Sequence, residues 1–241
     1  VTPELLEKAT NMKVIGRAGV GVDNIDIKAA TTKGILVMNT PDGNTISTAE
    51  HTCGMIIALA RNIPTSVATV KNGGWDRKKY MGSEVFGKKL GIVGLGKIGS
   101  EVAKRMQSFG MEVFAYDPFT TKEHASDMNI ELVDIDELLG NVDFLSVHTP
   151  LTEKTKGLVS LKNADKLKKG IRLVNCARGG IYEEADLPKL IDDGVVGGVA
   201  LDVYSQESPN EELYKVLEHP GIICTPHLGA STEEAQEKVA E

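Results

Sequence analysis

The sequence is short of cysteine, of long apolar runs and of positive charge, and each shortage argues against a class of protein. Its three cysteines, Cys53, Cys176 and Cys224, show neither paired nor metal-ligand spacing, so we expect reduced thiols, a cytoplasmic location and no bound metal. The longest apolar runs, such as residues 55–60, are far shorter than the ~20 residues of a membrane-spanning helix. A net charge of −7 argues against a nucleic-acid-binding surface.

The remaining composition is that of a folded globular protein. Hydrophobic residues make up 41% of the 241 residues and charged residues 25%, which is enough to build a core and argues against disorder. The length suits one large domain or up to two ordinary ones. The chain starts at Val1 rather than at a methionine and stops within a helix-like segment, so we expect a fragment of a longer polypeptide.

From residue 90 onward, short apolar runs rich in β-branched residues alternate with segments of helical spacing. Glycines at positions 110 and 194 close two of the helical segments. Strands that are apolar on both faces and separated by helices are typical of a parallel sheet covered by helices. We therefore predict an α/β fold with a doubly wound parallel sheet. The predicted strands cover residues 90–94, 112–117, 130–134, 143–149, 171–177, 198–203 and 221–227.

The residues before this region follow a different pattern. Residues 13–40 repeat the strand–helix–strand theme on a small scale and look like part of a different domain. Residues 45–63 have the spacing of a helix with Glu50 in its first turn, and a second helix is expected after Pro64, to about residue 72.

The segment Gly94-Leu-Gly-Lys-Ile-Gly99 has the spacing G-x-G-x-x-G of a dinucleotide-binding loop. It follows a predicted strand directly and opens a predicted helix, which is the context that this motif requires. Gly94 would permit the tight turn, Gly96 the approach of a pyrophosphate, and Gly99 the close packing of helix on strand. Asp117 could accept hydrogen bonds from the adenosine ribose and would repel a 2′-phosphate, so NAD is favoured over NADP. The alternative is an ordinary tight turn followed by a helix-capping aspartate.

Several polar residues follow the carboxyl ends of the predicted strands, where open α/β sheets bind their ligands. Arg178 precedes two glycines and has the planar fork that suits a substrate carboxylate. Glu207, placed against His227, would favour the protonated imidazole and so support general acid–base catalysis. Taken singly, each could instead be a loop charge or a loop histidine. A nucleophilic role for Cys176 is the weaker interpretation, because no histidine is near it in sequence.

Eight segments spread along the chain resemble one family, the D-isomer-specific 2-hydroxyacid dehydrogenases. They occur in the family's order and together run from residue 16 to residue 232. The segments are GRAGVGVDNID (16–26), NTPDGN (39–44), LGIVGLGKIG (90–99), AYDP (115–118), SVHTP (146–150), VNCARGG (174–180), ALDVYSQE (200–207) and PHLGAST (226–232).

The resemblance implies a Rossmann-like domain, NAD as the cofactor and Arg178, Glu207 and His227 as the catalytic group. Arg178 would bind the carboxylate and polarise the C2 oxygen, and His227 would take the hydroxyl proton while Glu207 supports its charged form. The implied cofactor contacts are Val20, Gly94, Gly96, Lys97, Ile98, Gly99, Asp117, Thr149, Pro150, Cys176, Ala177, Asp202, His227, Gly229 and Ala230. The implied substrate contacts are Arg17, Asn44, Arg77 and Arg178.

The resemblance also implies a division of the chain. Residues 1–40 would be a remnant of the substrate-binding domain, residues 41–230 the NAD-binding domain, and residues 231–241 the start of a crossover helix. A helical region at about residues 45–80 would form the interface of a homodimer, or part of a homotetramer, with Arg77 reaching the partner's site.

Two segments, PHLGAST and GRAGVGVDN, point to a branch of the family that acts on a phosphorylated 2-hydroxy acid. The implied reaction is the NAD-dependent oxidation of 3-phospho-D-glycerate to 3-phosphohydroxypyruvate, the first step of L-serine biosynthesis. The alternatives are another D-2-hydroxyacid dehydrogenase, such as a glyoxylate or hydroxypyruvate reductase or a D-lactate dehydrogenase, and an NAD-sensing corepressor-like binding protein that keeps the same three residues.

The chain departs from the family's pattern in two places. Ser208 follows Glu207 where a proline is common, and Val20 stands where a threonine is frequent. The first strands of the substrate domain are missing before Val1, so we expect weak turnover, or none, from this chain alone.

Overall fold

Residues 1–47 and the end of the chain form a separate unit from the segment between them. The computed structural model describes residues 1–240. The smaller unit combines residues 1–47 with the described residues from Ala230 onward, and the larger unit comprises residues 48–229. Glu241, the last residue of the predicted crossover helix, lies outside the described residues.

Helices and strands alternate along most of residues 1–240. The α-helices are α1 (Pro3–Lys8), α2 (Ile27–Thr32), α3 (Thr45–Ala60), α4 (Ile63–Lys71), α5 (Lys97–Ser108), α6 (Lys122–Asp127), α7 (Ile135–Asn141), α8 (Leu187–Asp192), α9 (Glu211–Leu217) and α10 (Glu233–Ala240). The strands are β1 (Val14–Arg17), β2 (Leu36–Asn39), β3 (Lys89–Val93), β4 (Glu112–Tyr116), β5 (Glu131–Leu132), β6 (Phe144–Val147), β7 (Ile171–Asn175), β8 (Val196–Leu201) and β9 (Ile222–Cys224). Short 3₁₀ helices cover Leu161–Lys166 and Glu184–Asp186.

The larger unit is built on a seven-stranded parallel sheet with the strand order β5-β4-β3-β6-β7-β8-β9. Each of the seven strands predicted from the sequence is present, and the doubly wound α/β fold is confirmed. The strand order reverses between β3 and β6, which is the position at which open α/β sheets bind dinucleotides. All strands are parallel, so their carboxyl ends meet at one edge, and that edge carries the loops after β3, β4, β6, β7, β8 and β9.

Helices cover both faces of this sheet because side chains alternate along each strand. One core cluster joins Ile92 of β3 to Ile56 of α3 and Val102 of α5. The cluster of the opposite face joins Val93 of β3 to Leu138 of α7 and further helices. Both faces of the sheet are buried, so the side chains available for binding and catalysis lie on the loops at its edge.

The smaller unit holds a two-stranded parallel sheet, with register from Val14 beside Leu36 to Arg17 beside Asn39. Its core consists of Leu6 of α1, Ala30 of α2 and Ile35, with partly buried neighbours. The Asp26 carboxylate caps α2 by accepting a hydrogen bond from the Ala29 amide at 2.8 Å.

No single helix of residues 1–240 is long and apolar enough to cross a bilayer. Helices α3 and α4 satisfy the length and composition criteria only as a pair, and they are bent by 66° at the break between them. Asn62 at that break has a left-handed backbone with φ of 54°, and Pro64 lies in the first turn of α4.

Candidate active site

The glycine-rich loop after β3 has the geometry that its motif requires. Gly94 adopts a φ of +94°, which strongly favours glycine, and its amide donates to the Tyr116 carbonyl at 2.9 Å. A Cβ on Gly99 would lie 2.1 Å from the Gly94 carbonyl oxygen, so α5 packs directly on the loop. A Cβ on Gly96, in contrast, would meet no atom within 4 Å. The space in front of Gly96 at the start of α5 therefore suits a phosphate group.

Asp117 lies beyond the end of β4 and fixes the loop. Its Oδ2 accepts a hydrogen bond from the Leu95 amide at 2.7 Å, and its Oδ1 accepts one from the Phe119 amide at 2.7 Å. Each carboxylate oxygen has more than one acceptor site, so Asp117 can still accept hydrogen bonds from ribose hydroxyls.

The Thr149 hydroxyl gives an independent indication that this edge binds a ligand. Its oxygen is buried, and it has no hydrogen-bond partner among residues 1–240. Thr149 lies beside the loop, because a Cβ on Gly94 would come within 2.7 Å of Thr149 Cγ2. Buried polar groups are nearly always hydrogen-bonded in folded proteins. The open space at Gly96, the unpartnered Thr149 hydroxyl and Asp117 after β4 together fit a dinucleotide.

His227 and Glu207 come together at the same edge of the sheet. The distance between His227 Nδ1 and Glu207 Oε1 is 3.1 Å. The His227 side chain is 53% exposed and the Glu207 side chain 84% exposed. Exposed pairs add little to stability, so the value of this contact lies in the imidazole that it orients. With Glu207 at Nδ1, the other ring nitrogen, Nε2, is available to a substrate.

The buried carboxylate of Asp202 holds the turn that presents His227. Its Oδ1 accepts hydrogen bonds from Thr225 Oγ1 at 2.6 Å and the Leu228 amide at 2.7 Å, and its Oδ2 accepts one from the Gly229 amide at 2.9 Å. His51 Nε2 of α3 lies 3.2 Å from Oδ1 and 3.1 Å from Thr225 Oγ1. Burial by itself raises the pKa of the Asp202 carboxyl. The hydrogen bonds from His51, Thr225 and the two amides outweigh burial, so the net pKa lies below its usual value.

Asn175, the last residue of β7, fixes the loop that follows this strand. The Asn175 amide nitrogen donates to the Arg178 carbonyl at 2.8 Å, and its Oδ1 accepts from the Ala177 amide at 3.0 Å. Arg178 Nη1 donates to the Ala177 carbonyl at 2.7 Å. The backbone that carries Arg178 is thus tied to the end of a buried strand, in a loop at the same sheet edge as the loop of His227.

Two further titratable groups at this edge, His148 and Cys176, are poorly suited to catalysis at neutral pH. Desolvation lowers the pKa of His148 to about 4, so its ring is neutral and cannot act as a proton donor there. Burial raises the pKa of the Cys176 thiol to about 12, so it stays protonated, and the nucleophile interpretation is not supported.

Within residues 1–240, one group of side chains has the spacing of metal ligands, namely His51, Cys176 and Asp202. Their ligand atoms lie within 4.8 Å of one another. The Asp202 oxygens already accept hydrogen bonds from four different residues. Hydrogen bonds thus already occupy the Asp202 carboxylate of this group.

Replacing Asp202 by asparagine is expected to lower the free energy of unfolding at pH 7 by about 2 kcal/mol, because hydrogen bonds to a buried charge are lost. The lowered pKa means that the carboxylate contributes its full stabilisation above the unfolded-state value of about 3.9. This stabilisation is lost as the pH falls through the folded-state value. Urea unfolding at pH 7 and at pH 3 measures the free energy of unfolding of the unmodified protein and of Asp202→Asn. The difference between the two values should be smaller at pH 3. A difference that is constant with pH would contradict the assignment.

The remaining predicted site residues are divided between the two units. Arg17, Val20, Asn44 and Ala230 belong to the smaller unit. Arg17 ends β1, and the Asn44 side-chain oxygen is buried without a hydrogen-bond partner among residues 1–240. The predicted residues of the larger unit that are not described above are Lys97, Ile98, Pro150 and the exposed Arg77.

Two residues of this edge were missed in the sequence, His51 and Glu184. His51 lies within α3, far along the chain from its partners Asp202 and Thr225. Glu184 lies in an acidic run that resembles a helix start, yet its carboxylate is buried and accepts hydrogen bonds from two loops of the edge. No local pattern signals either contact.

Comparisons with known proteins agree with this geometry. The profile of the family described as "D-isomer specific 2-hydroxyacid dehydrogenase, NAD binding domain" matches residues 53–229. The D-3-phosphoglycerate dehydrogenase of Bacillus subtilis (strain 168) is 53% identical over 240 residues, covering 100% of this chain and 45% of the relative. The D-3-phosphoglycerate dehydrogenase of Homo sapiens is 50% identical over 241 residues, again covering 100% and 45%. The chain thus spans about half the length of the curated relatives that it matches.

Solved structures of related enzymes superpose closely. A D-lactate dehydrogenase from Aquifex aeolicus, complexed with NAD and lactic acid, gives a TM-score of 0.89 at 29% identity, covering 99% of this chain and 76% of that one. A glyoxylate reductase from Paecilomyes thermophila gives a TM-score of 0.89 at 32% identity, covering 99% and 72%. The profile match spans most of the chain, so the resemblance seen in the sequence is confirmed. The chain belongs to the D-isomer specific 2-hydroxyacid dehydrogenase family and carries the NAD binding domain of that family.

Proposed function

We propose that the full-length protein oxidises 3-phospho-D-glycerate to 3-phosphohydroxypyruvate with NAD, the first step of L-serine biosynthesis. The observation that carries the proposal is the His227–Glu207 contact of 3.1 Å, at the sheet edge that also bears the glycine-rich loop. The relatives named D-3-phosphoglycerate dehydrogenase are 50% and 53% identical, whereas the D-lactate dehydrogenase and glyoxylate reductase are 29% and 32% identical. This difference favours the phosphorylated acid.

In this proposal the proton and the carboxylate of the substrate are handled by separate side chains. Glu207 occupies His227 Nδ1, so Nε2 takes the proton of the C2 hydroxyl and Glu207 stabilises the resulting imidazolium. Arg178 binds the substrate carboxylate with its planar guanidinium and polarises the C2 oxygen. Arg17, Asn44 and Arg77 are assigned as further substrate contacts.

The residues of the loop after β3 would hold the cofactor. Bound NAD supplies a nicotinamide ring that accepts the hydride from C2. The amides at the start of α5 and the open space at Gly96 would hold the pyrophosphate, and the Thr149 hydroxyl offers an unused hydrogen bond. Asp117 would accept hydrogen bonds from the ribose and would repel a 2′-phosphate, so NAD is favoured over NADP.

The same proposal includes a homodimer, or a homotetramer built from dimers, in the cytoplasm. Ile63, Val67 and Val70 form an exposed apolar stripe on α4, and Trp75 and Met81 are exposed in the segment that follows. Contiguous exposed apolar residues mark protein–protein interfaces. Arg77 lies in the same segment, which supports its reaching a partner's site. All three cysteines are free thiols, which suits the reducing conditions of the cytoplasm.

The test is NADH formation by the intact protein, measured with 3-phospho-D-glycerate, D-lactate and D-glycerate as substrates. We expect kcat/KM to favour the phosphorylated acid by about 10²-fold or more. A preference for an unphosphorylated acid would instead indicate one of the other D-2-hydroxyacid dehydrogenases. Tight NADH binding without turnover of any acid would support the NAD-sensing binding protein. The 241-residue chain by itself serves as a control, and we expect it to oxidise 3-phospho-D-glycerate weakly or not at all.

A further inference from the structure

A buried carboxylate outside the proposed catalytic group joins two of the loops that carry it. Glu184 is only 5% exposed. Its Oε1 accepts hydrogen bonds from the Ser205 amide at 2.7 Å and from the Gly180 amide at 3.2 Å, and its Oε2 accepts one from the Ser205 hydroxyl. Gly180 lies two residues after Arg178 in the loop after β7, and Ser205 lies two residues before Glu207 in the segment after β8.

The backbones of these two loops are in direct contact at Gly179. A Cβ on Gly179 would lie 1.8 Å from the Tyr204 carbonyl carbon and 2.2 Å from the Ser205 nitrogen. Any residue larger than glycine would therefore separate the loops. Gly179 permits the contact, and Glu184 supplies the hydrogen bonds that maintain it.

The connection extends to the turn of the catalytic histidine. The Tyr204 hydroxyl donates to the Thr225 carbonyl at 2.7 Å, and the same carbonyl accepts the His227 amide at 3.0 Å. Glu184 thus stands at one end of a chain of contacts that runs through Ser205 and Tyr204 to the turn of His227.

We propose that Glu184 is a positioning residue, which sets the placement of Arg178 relative to Glu207 and His227. The inference rests on the proposed dehydrogenase function. Hydride and proton can leave the substrate together only if Arg178 holds the carboxylate at a fixed position relative to His227. The hydrogen bonds that Glu184 accepts come from the Arg178 loop and the Glu207 segment, which is where a positioning group has to act. A misplacement of about 1 Å is enough to lower a rate by about 10²-fold.

Three variants of the intact protein test this role. Glu184→Ala removes the acceptor of the Gly180 and Ser205 amides, and we expect kcat/KM for the 2-hydroxy acid to fall by about 10²-fold. Glu184→Gln keeps a carbonyl oxygen for both amides and an NH₂ group for the Ser205 hydroxyl, so it should stay within about fivefold of the unmodified protein. Asp186→Ala is the matched control, because Asp186 lies in the same 3₁₀ helix but accepts from the Leu161 amide at 2.8 Å, away from the loops. It should leave kcat/KM unchanged.

Two further measurements separate positioning from general damage. The dissociation constant for NADH should change by less than about threefold in Glu184→Ala, because the glycine-rich loop is untouched and Asn175 still holds the Ala177 end of the loop after β7. Hydrogen exchange of the Gly180 and Ser205 amides should be slow in the unmodified protein and in Glu184→Gln, and fast in Glu184→Ala. Unchanged kcat/KM in Glu184→Ala, an equal loss in Glu184→Gln, or a parallel loss of NADH affinity would each overturn the proposal.

A final variant covers the case in which Glu184→Ala does not fold. Ser205→Ala removes one of the hydrogen bonds and leaves the carboxylate in place, so kcat/KM should fall by about fivefold to tenfold with NADH affinity preserved. No change in that variant would overturn the proposal. If the unmodified protein oxidises no 2-hydroxy acid, the proposed function is wrong, while the exchange of the two amides still shows whether Glu184 joins the loops.

Discussion

Replacing His227 by asparagine in the intact protein is expected to lower kcat by about 10²–10⁴-fold, because the group that accepts the hydroxyl proton is lost. Asparagine is the suitable replacement, since His227 has a φ of +57° and asparagine tolerates this left-handed backbone. The Asp202 hydrogen bonds to the neighbouring amides remain in the variant, so the turn keeps its shape. The affinity for NADH should therefore fall much less than kcat, because only the side-chain contact of residue 227 with the cofactor changes.

The structure provides a matched control for this variant in a second histidine–carboxylate pair. His219 Nε2 lies 3.3 Å from Asp192 Oδ1, on helices and loops that do not reach the glycine-rich edge. His219→Asn should leave kcat and NADH affinity unchanged. The kcat of Glu207→Gln should lie between those of His227→Asn and His219→Asn. The amide of glutamine still orients the imidazole but no longer stabilises its positive charge. A His227→Asn protein that keeps more than a tenth of the original kcat would refute the acid–base role.

Alanine substitutions at Gly99 and Gly96 are expected to separate folding from cofactor binding. A Cβ at Gly99 would lie 2.1 Å from the Gly94 carbonyl oxygen, so Gly99→Ala should lower the free energy of unfolding by about 3 kcal/mol and weaken NADH binding as well. A Cβ at Gly96 would meet no atom within 4 Å, and the φ of −77° is open to alanine. Gly96→Ala should therefore keep its stability within about 0.5 kcal/mol.

The affinity for NADH should nevertheless fall by about tenfold or more in Gly96→Ala, because the new methyl group occupies the space reserved for the pyrophosphate. Urea unfolding and NADH fluorescence titration on the same preparations give both quantities. Gly54→Ala is the control, since Gly54 is an exposed residue inside α3 with nothing within 4 Å of its Cβ position. That variant should be about 0.5–1 kcal/mol more stable and bind NADH normally. Normal NADH binding by Gly96→Ala would place the pyrophosphate elsewhere.

The strands of the sheet and the loops at its edge could be predicted because their signals are local. Each buried strand is a short apolar run bounded by polar residues, and parallel strands necessarily bring their carboxyl ends to one edge. This is why His227 and Glu207, which follow β9 and β8, could be paired in advance. The glycine motif could be predicted for the same reason, because the positive φ of Gly94 strongly favours glycine.

The contacts that hold the edge in place could not be predicted in the same way. The resemblance indicated Asp202 as a cofactor contact, but it did not indicate the hydrogen bonds that the buried carboxylate accepts from His51, Thr225 and two amides. Glu184 was not singled out at all, although it joins two loops. In both cases the partners lie on other elements, and the direction of a side chain depends on packing that no short pattern encodes.

The way in which the His227 turn is anchored has a consequence for how this family can diversify. The Asp202 carboxylate holds the turn through the Thr225 hydroxyl and the Leu228 and Gly229 amides, and none of these bonds involves the His227 side chain. The hydrogen bonds between Asp202 and the turn are therefore independent of the side chain at position 227. A substitution at position 227 can replace one reactive side chain by another without changing the hydrogen bonds of the turn. The new residue must only tolerate a left-handed backbone. Selection can thus act on the chemistry of the site separately from its scaffold.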